Sequence, residues 1–291
     1  MERELWPRLY RIVQEVGRQV RQKGVSYQPW VVAAVILWAC LHDRPRCWAC
    51  QERNWSTTTH RPLRLPSASV LSRRADTVGM GLFWRQLEVQ FRGTGAGGLF
   101  SRVDGKPLFV GGCSKDPDVR WGYGAGMHGK GYKLHAIWAA LAFPDTWEVT
   151  PLNQSEAVVA ARMLTQVDRG GYLLADGNYD TNPLHDAAGR RGYQLLSKNR
   201  RPHSGRGHRP QNPWRLRGLH LRQTTFGYNL LTCRIQIERD FAHATYFAGG
   251  LSPLPAWVRR QHRVRTWVWA KLAINATRII THHPQQHPLT I

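Results

Sequence analysis

Leu5, Leu9, Ile12, Val13, Val16 and Val20 recur at intervals of three and four, so the chain opens on an amphipathic helix over residues 2–22. A second helix starts at Pro29, where proline suits a first helical turn, and runs to Leu41. Its stretch from Trp30 to Cys40 is the longest apolar run in the sequence. Further on, Ser67 can cap a short helix that presents Ser69, Ser72, Arg73 and Arg74. These side chains suit phosphates and base edges, and equally an ordinary surface. An amphipathic helix over 82–91 ends in Gly93-Thr94-Gly95-Ala96-Gly97-Gly98, a stretch with too few side chains to pack. It marks the boundary between an all-helical domain, residues 1–92, and a second domain, residues 99–291.

Past the glycines the apolar period shortens to two. Strands are expected over 99–104 and 107–111, joined as a hairpin across Gly105-Lys106, and then over 131–140, 147–152, 172–176 and 193–197. Asn153 and Glu156 have capping-box spacing, which starts a helix at Ser155, and another helix is expected over 183–189. A basic loop over 198–222 follows, then helices over 232–247 and 255–280. A meander of strands followed by alternating helices and strands places the second domain in the α/β class, a mixed sheet flanked by helices.

Charge narrows the choice of partner. Lysine and arginine number 41 against 19 acids, a formal net charge of +22. Such a surface repels itself, and a polyanion that relieves the repulsion is the expected partner, with DNA the first candidate. The apolar runs fall short of the roughly 20 residues that cross a bilayer. The opening MERELWPRLYRIV has no apolar core followed by a cleavage site. A cytoplasmic protein without a membrane partner is therefore expected. The cysteines, Cys40, Cys47, Cys50, Cys113 and Cys233, are odd in number, which argues against a disulfide framework. Cys47 and Cys50 form a C-x-x-C without a second pair at zinc-knuckle spacing, and Cys40 reads as a small buried hydrophobe.

Because acids are scarce, their positions are informative. Asp104 and Asp176 each end an expected strand and each is followed by glycine, which lets backbone or substrate approach closely. Glu238 follows Arg234 by one helical turn, on the same face. Three hard oxygen donors suit magnesium or manganese, and two such ions can activate a water and stabilise the leaving oxygen of a phosphodiester. Taken singly, the two aspartates are also turn formers and Glu238 a partner for Arg234; the combination with the charge balance favours catalysis. From Ala187 to Ile237 there is no acid, while Lys198, Arg200, Arg201, Arg206, Arg209, Arg215, Arg217 and Arg222 fall there, as a DNA-holding groove requires. Arg259, Arg260, Arg263 and Arg265 make a second basic strip. Asp116 and Asp118 read as turn residues, and Asp180 as support for Asp176.

The order strand, Asp, hairpin, strand, helix, strand, Asp, helix, Glu, with the strings SRVDG, LLADGNYD and CRIQIERDF, resembles the RNase H-like catalytic domain of DDE insertion-sequence transposases. Gly129-Lys130-Gly131-Tyr132-Lys133-Leu134-His135 is similar to that family's third strand, and the likeness covers roughly residues 99–280. The resemblance implies an RNase H-like mixed sheet behind an N-terminal DNA-binding domain. It also implies that Asp104, Asp176 and Glu238 hold two Mg2+ or Mn2+ ions and that Arg234 assists near the phosphate. The implied activity is cleavage of double-stranded DNA at transposon ends and strand transfer into target DNA, by a homodimer on DNA. Arg73 and Arg74 would belong to its end-binding surface. The family's pattern often has a tyrosine three residues before the arginine and a lysine seven after the glutamate; this chain has Leu231 and Thr245. The departure keeps open the alternative of a transposase-derived DNA-binding protein without catalysis.

Overall fold

The computed structural model describes residues 2–56, 58–93, 98–139, 142–200, 210–247, 250–251 and 254–282. The chain divides into two compact units: Met1–Gly95 with Ala244–Val258 and Thr266–Ile291, and Ala96–His243 with Arg259–Arg265. The first takes in the C-terminal stretch as well as the N-terminal helices, so neither unit is continuous in sequence.

The first unit is helical. It contains α1 (Glu2–Gln19), α2 (Pro29–Leu41), α3 (Ala68–Ala75), α4 (Val78–Arg92) and most of α10 (Gln261–His282). Because α2 is apolar on every side, it has no face to offer water and is buried almost throughout. Trp38 of α2 stacks on Trp55 at 4.7 Å and meets Trp6 of α1 edge-on at 4.8 Å. Each indole N–H finds a carbonyl: Trp38 that of Asn54, Trp6 that of His60, Trp55 that of Ala49. The C-terminal end of α2 is closed by Lys271 of α10, fully buried, whose Nζ donates to the Cys40 carbonyl at 2.7 Å and to Asp43 at 2.6 Å. A cation there satisfies terminal carbonyls and complements the helix dipole. Ser67 caps α3, its hydroxyl accepting from the Val70 N–H. Cys40 is buried as expected, and all five cysteines are free.

The second unit is built on a six-stranded sheet: β1 (Phe100–Phe109), β2 (Arg120–Gly124), β3 (Met127–Trp138), β4 (Thr146–Pro151), β5 (Gly171–Ala175) and β6 (Tyr193–Ser197). The order is β2-β3-β1-β5-β6, with β4 also paired to β3. Strands β1 to β4 pair antiparallel, while β1, β5 and β6 run parallel. Between β4 and β5 lies α5 (Glu156–Met163), and between β5 and β6 lies α6 (Asn182–Arg190). Both pack on one face of the sheet, through Val159, Met163, Leu184 and Ala188 against Val103, Leu173 and Leu195. On the other face Leu174 and Leu196 meet Leu230, from α8 (Thr225–Thr232), with Leu221 and Leu231 packed around them.

Two sequence expectations change here. The hairpin at Gly105-Lys106 does not form; β1 runs straight through, pairing Gly105 with His135 and Lys106 with Leu134. A glycine is needed there for a different reason: a Cβ would come 2.9 Å from Lys133 Cδ and 3.1 Å from Glu156 Oε1. The real hairpin is β2 with β3, closed by Ala125 and Gly126 at φ 49° and 75°. The stretch read as a basic loop contains α7 (Pro213–Leu221), started by Pro213 and by Asn212, whose side chain accepts from the Trp214 N–H at 2.9 Å. Among the described residues, no helix is long and apolar enough to cross a membrane.

Candidate active site

β1 and β5 run parallel with Arg102 opposite Leu174. Two residues further on come Asp104, still within β1, and Asp176, the first residue past the end of β5. The parallel register therefore brings together two acids far apart in the chain. Both line a cleft of about 800 Å³ in the second unit, together with Lys133, Glu156 and Arg200.

The cleft is electrostatically strained. Burial pushes the Asp104 carboxyl up to about 7; Asp176 and Glu156 add to the rise, while the Gly105 N–H, donating at 2.8 Å, and the charge of Arg234 oppose it. Burial also raises Asp176, with Glu156 adding; the Asn178 N–H, donating at 2.8 Å, and Arg234 offset part of this. Glu156, expected to serve as a helix cap, instead accepts from Lys133 Nζ at 2.6 Å, both side chains being largely buried. Beneath these acids lies Tyr179, fully buried. Burial, and then Asp104, Glu156 and Asp176, push its hydroxyl well above the ordinary range, and it has no hydrogen-bond partner among the described residues. Glu156, Lys133 and Tyr179 were not singled out from the sequence. The signal was present for Tyr179, three residues after Asp176 inside the quoted LLADGNYD string, while the Lys133–Glu156 pair needs the tertiary structure.

Glu238 is not among the residues that line the cleft. It sits on α9 (Gln236–Thr245), is 56% exposed, and is paired with Arg234 at 3.1 Å. Arg234 itself is mostly buried and its charge reaches both Asp104 and Asp176. The segment is held to the sheet by an ion pair at 3.0 Å between Arg102 of β1 and Asp240 of α9, and by Phe241, which meets Trp138 edge-on at 5.6 Å. Among the described residues no three His, Cys, Asp or Glu side chains are grouped to hold a metal ion. The donor chemistry of Asp104 and Asp176 nevertheless fits a hard divalent cation: two desolvated carboxylates repel each other, and the Tyr179 hydroxyl near them has no hydrogen-bond partner among the described residues.

The expected DNA-contacting residues divide by what holds them. Lys198, Arg200 and Arg217 are exposed, and Arg200 lines the cleft. Arg215 is engaged with both oxygens of Asp180 at 2.7 Å, and Arg222 donates to the Ser197 carbonyl at 2.6 Å and to Asn199 at 2.8 Å. In the first unit Arg73 is exposed, while Arg74 donates to Gln22 at 2.7 Å and to the Tyr27 carbonyl. Arg201, Arg206 and Arg209 lie outside the described residues. Asp116 and Asp118 do more than turn the chain. Asp116 accepts from the Tyr132 hydroxyl at 2.7 Å and the Arg260 N–H at 2.9 Å, and Asp118 from the Gln261 N–H at 2.9 Å, tying the start of α10 to the sheet.

Comparison with curated proteins and with solved structures gave no match. A family model described as the transposase DDE domain matches residues 101–275, from the second residue of β1 into α10. That span is more than half of the chain and contains Asp104, Asp176 and Glu238. The chain belongs to the transposase DDE domain family, and its mixed sheet flanked by helices is the RNase H-like fold expected of it.

Proposed function

We propose that this protein is an active DNA transposase that cleaves DNA at transposon ends and joins the freed 3′-hydroxyl to target DNA. The observation that carries this reading is the pair Asp104 and Asp176, which line one cleft from β1 and from the end of its parallel neighbour β5, both carboxyls raised by burial and by nearby acids. Asp104, Asp176 and Glu238 would hold a pair of Mg2+ or Mn2+ ions, which when bound supply an activated water and stabilise the leaving oxygen. Arg234 bears a fixed positive charge beside both aspartates, suited to the scissile phosphate. Arg200, Lys198 and Arg217 would steer the backbone of double-stranded DNA toward the cleft, with an affinity that falls steeply as salt is added. Arg73, exposed on the first unit, would make a DNA contact of its own. Handling two ends calls for a homodimer on DNA.

A second reading, a DNA-binding descendant without catalysis, is favoured by one observation: Glu238 pairs with Arg234 while Leu231, where the family often has tyrosine, is packed into the sheet. One experiment separates the two. Metal-dependent nicking of DNA carrying the gene's flanking ends is expected from the native chain. Asp104→Asn is expected to lose it by at least about 10³-fold while binding DNA as before. Nicking that persists in Asp104→Asn rejects the site, and absence of nicking by the native chain favours the second reading.

A further inference from the structure

The cleft that holds the aspartates has a second wall, of different chemistry. In the hairpin of β2 and β3 the register sets Trp121 opposite Lys130 and Tyr123 opposite His128. Trp121, Tyr123 and His128 therefore share one face. That face is open: Trp121 is 55% exposed and Tyr123 74%. The rings are already arranged, Trp121 stacked on His128 at 5.4 Å and 19°, and Tyr123 against the same imidazole at 4.8 Å. The opposite face of the hairpin carries Gly122, Gly124, Gly129 and Gly131 beside Arg120 and Met127. A Cβ on Gly122 would come 2.7 Å from the Leu152 carbonyl oxygen, and one on Gly129 2.6 Å from the Phe109 ring. The hairpin is thus seated through its backbone, and its aromatic rings add nothing to the core. Aromatic side chains left open at the mouth of a cleft, where burial would have stabilised the fold, point to a ligand with flat apolar faces.

Trp121, Tyr123 and His128 line the cleft together with Asp104, Asp176 and Arg200. We propose that this face is a stacking platform for an unpaired DNA base next to the phosphate under attack. The proposal rests on the transposase reading, which places a phosphodiester at the aspartates and so a base within reach of the hairpin. A base inside a duplex has both faces covered, so the platform engages overhangs, frayed ends or an extruded nucleotide, and it does so whatever the base, because every base has a π-face. The net charge of +22 suits a polyanionic ligand, and the rings would select its unpaired part.

The test is a binding measurement with cleavage blocked by chelator. Fluorescence anisotropy at fixed salt compares a labelled blunt duplex with the same duplex carrying a short single-stranded overhang, using the full chain. The native protein is expected to prefer the overhang form. Trp121→Ala and Tyr123→Ala are each expected to weaken that form roughly 5- to 150-fold, to change blunt-duplex binding by no more than about twofold, and Trp121→Phe to recover part of the loss. A 2-aminopurine in the overhang is quenched by the native chain and not by Trp121→Ala. Equal loss on both DNAs, or overhang binding unchanged in both alanine variants, overturns the proposal. Because the readout needs no catalysis, failure of the active-site reading, seen as nicking that survives in Asp104→Asn, is distinguishable from failure of the platform.

Discussion

Asp176 and Asp180 lie one short turn apart after β5, and their surroundings are opposite. Asp180 is almost inaccessible, and burial alone would raise its carboxyl. Arg215 on both oxygens, His185 at 3.2 Å and the Arg200 N–H outweigh that burial and hold it well below the usual carboxylate range. Asp176 faces Asp104 and Glu156 across a cleft, and burial with the Glu156 charge raises it. One acid is neutralised by partners within the fold; the other keeps a raised carboxyl despite the charge of Arg234. The difference separates an acid paired within the fold from one whose surroundings suit the cation proposed for it, and distance along the chain does not reveal it.

The largest effect that would break this comparison is expected at Asp180. Asp180→Asn leaves Arg215 without its counter-charge and alters the hydrogen-bond partner of His185, and should destabilise the protein by about 3–5 kcal/mol, read from denaturant unfolding. If Asp104→Asn were the more destabilising of the two, the assignment of roles would be reversed.

A smaller effect concerns pH, and its sign differs between the two sides. Asp104 has a folded pKa of about 7, above its ordinary 3.8, so the folded state retains a proton that the unfolded chain gives up. Its contribution to stability is full below the unfolded value and is lost as pH rises toward 7. Asp180, with a depressed pKa, contributes stability above its unfolded value that is lost as pH falls through its folded one. Divalent metal should accordingly raise the melting temperature by a few degrees at pH 8 and by less at pH 6. Asp104→Asn should remove the metal effect and raise the metal-free melting temperature at pH 8. A metal shift equal at both pH values would show that Asp104 is not titrating in the cleft.

The smallest expected effect is at Tyr179. Its hydroxyl is buried without a hydrogen-bond partner among the described residues, so Tyr179→Phe should stabilise the metal-free chain by about 1 kcal/mol, measured as a higher denaturant midpoint at an unchanged slope. A loss of stability would mean that the hydroxyl is satisfied within the fold and belongs with Asp180 rather than with Asp104.

The sequence by itself determined most of the helices and most of the strands, though not α7 or α8, because apolar periodicity follows from which face is buried. Leu5, Leu9 and Val13 at helical spacing, the uniformly apolar α2 and the Ser67 cap were all legible, as were Asp104 and Asp176 as a pair and the family through its three acidic strings. The tertiary structure decided what depends on neighbours distant in the chain. Gly105 looked like a turn because a glycine beside a lysine is locally ambiguous, whereas the eight residue pairs of β1 with β3 keep the strand extended. The hairpin of β2 escaped notice because its glycines interrupt the alternation that marks a strand, and they are there for backbone contact. The return of α10 to the helical unit depends on Lys271 reaching Cys40 and Asp43, a pairing across most of the sequence. Which acids share a cleft and which arginines are occupied within the fold is likewise set by strand register and ion pairing. Local sequence fixes where a side chain sits along its own element, and only the packing of elements fixes which charges it faces.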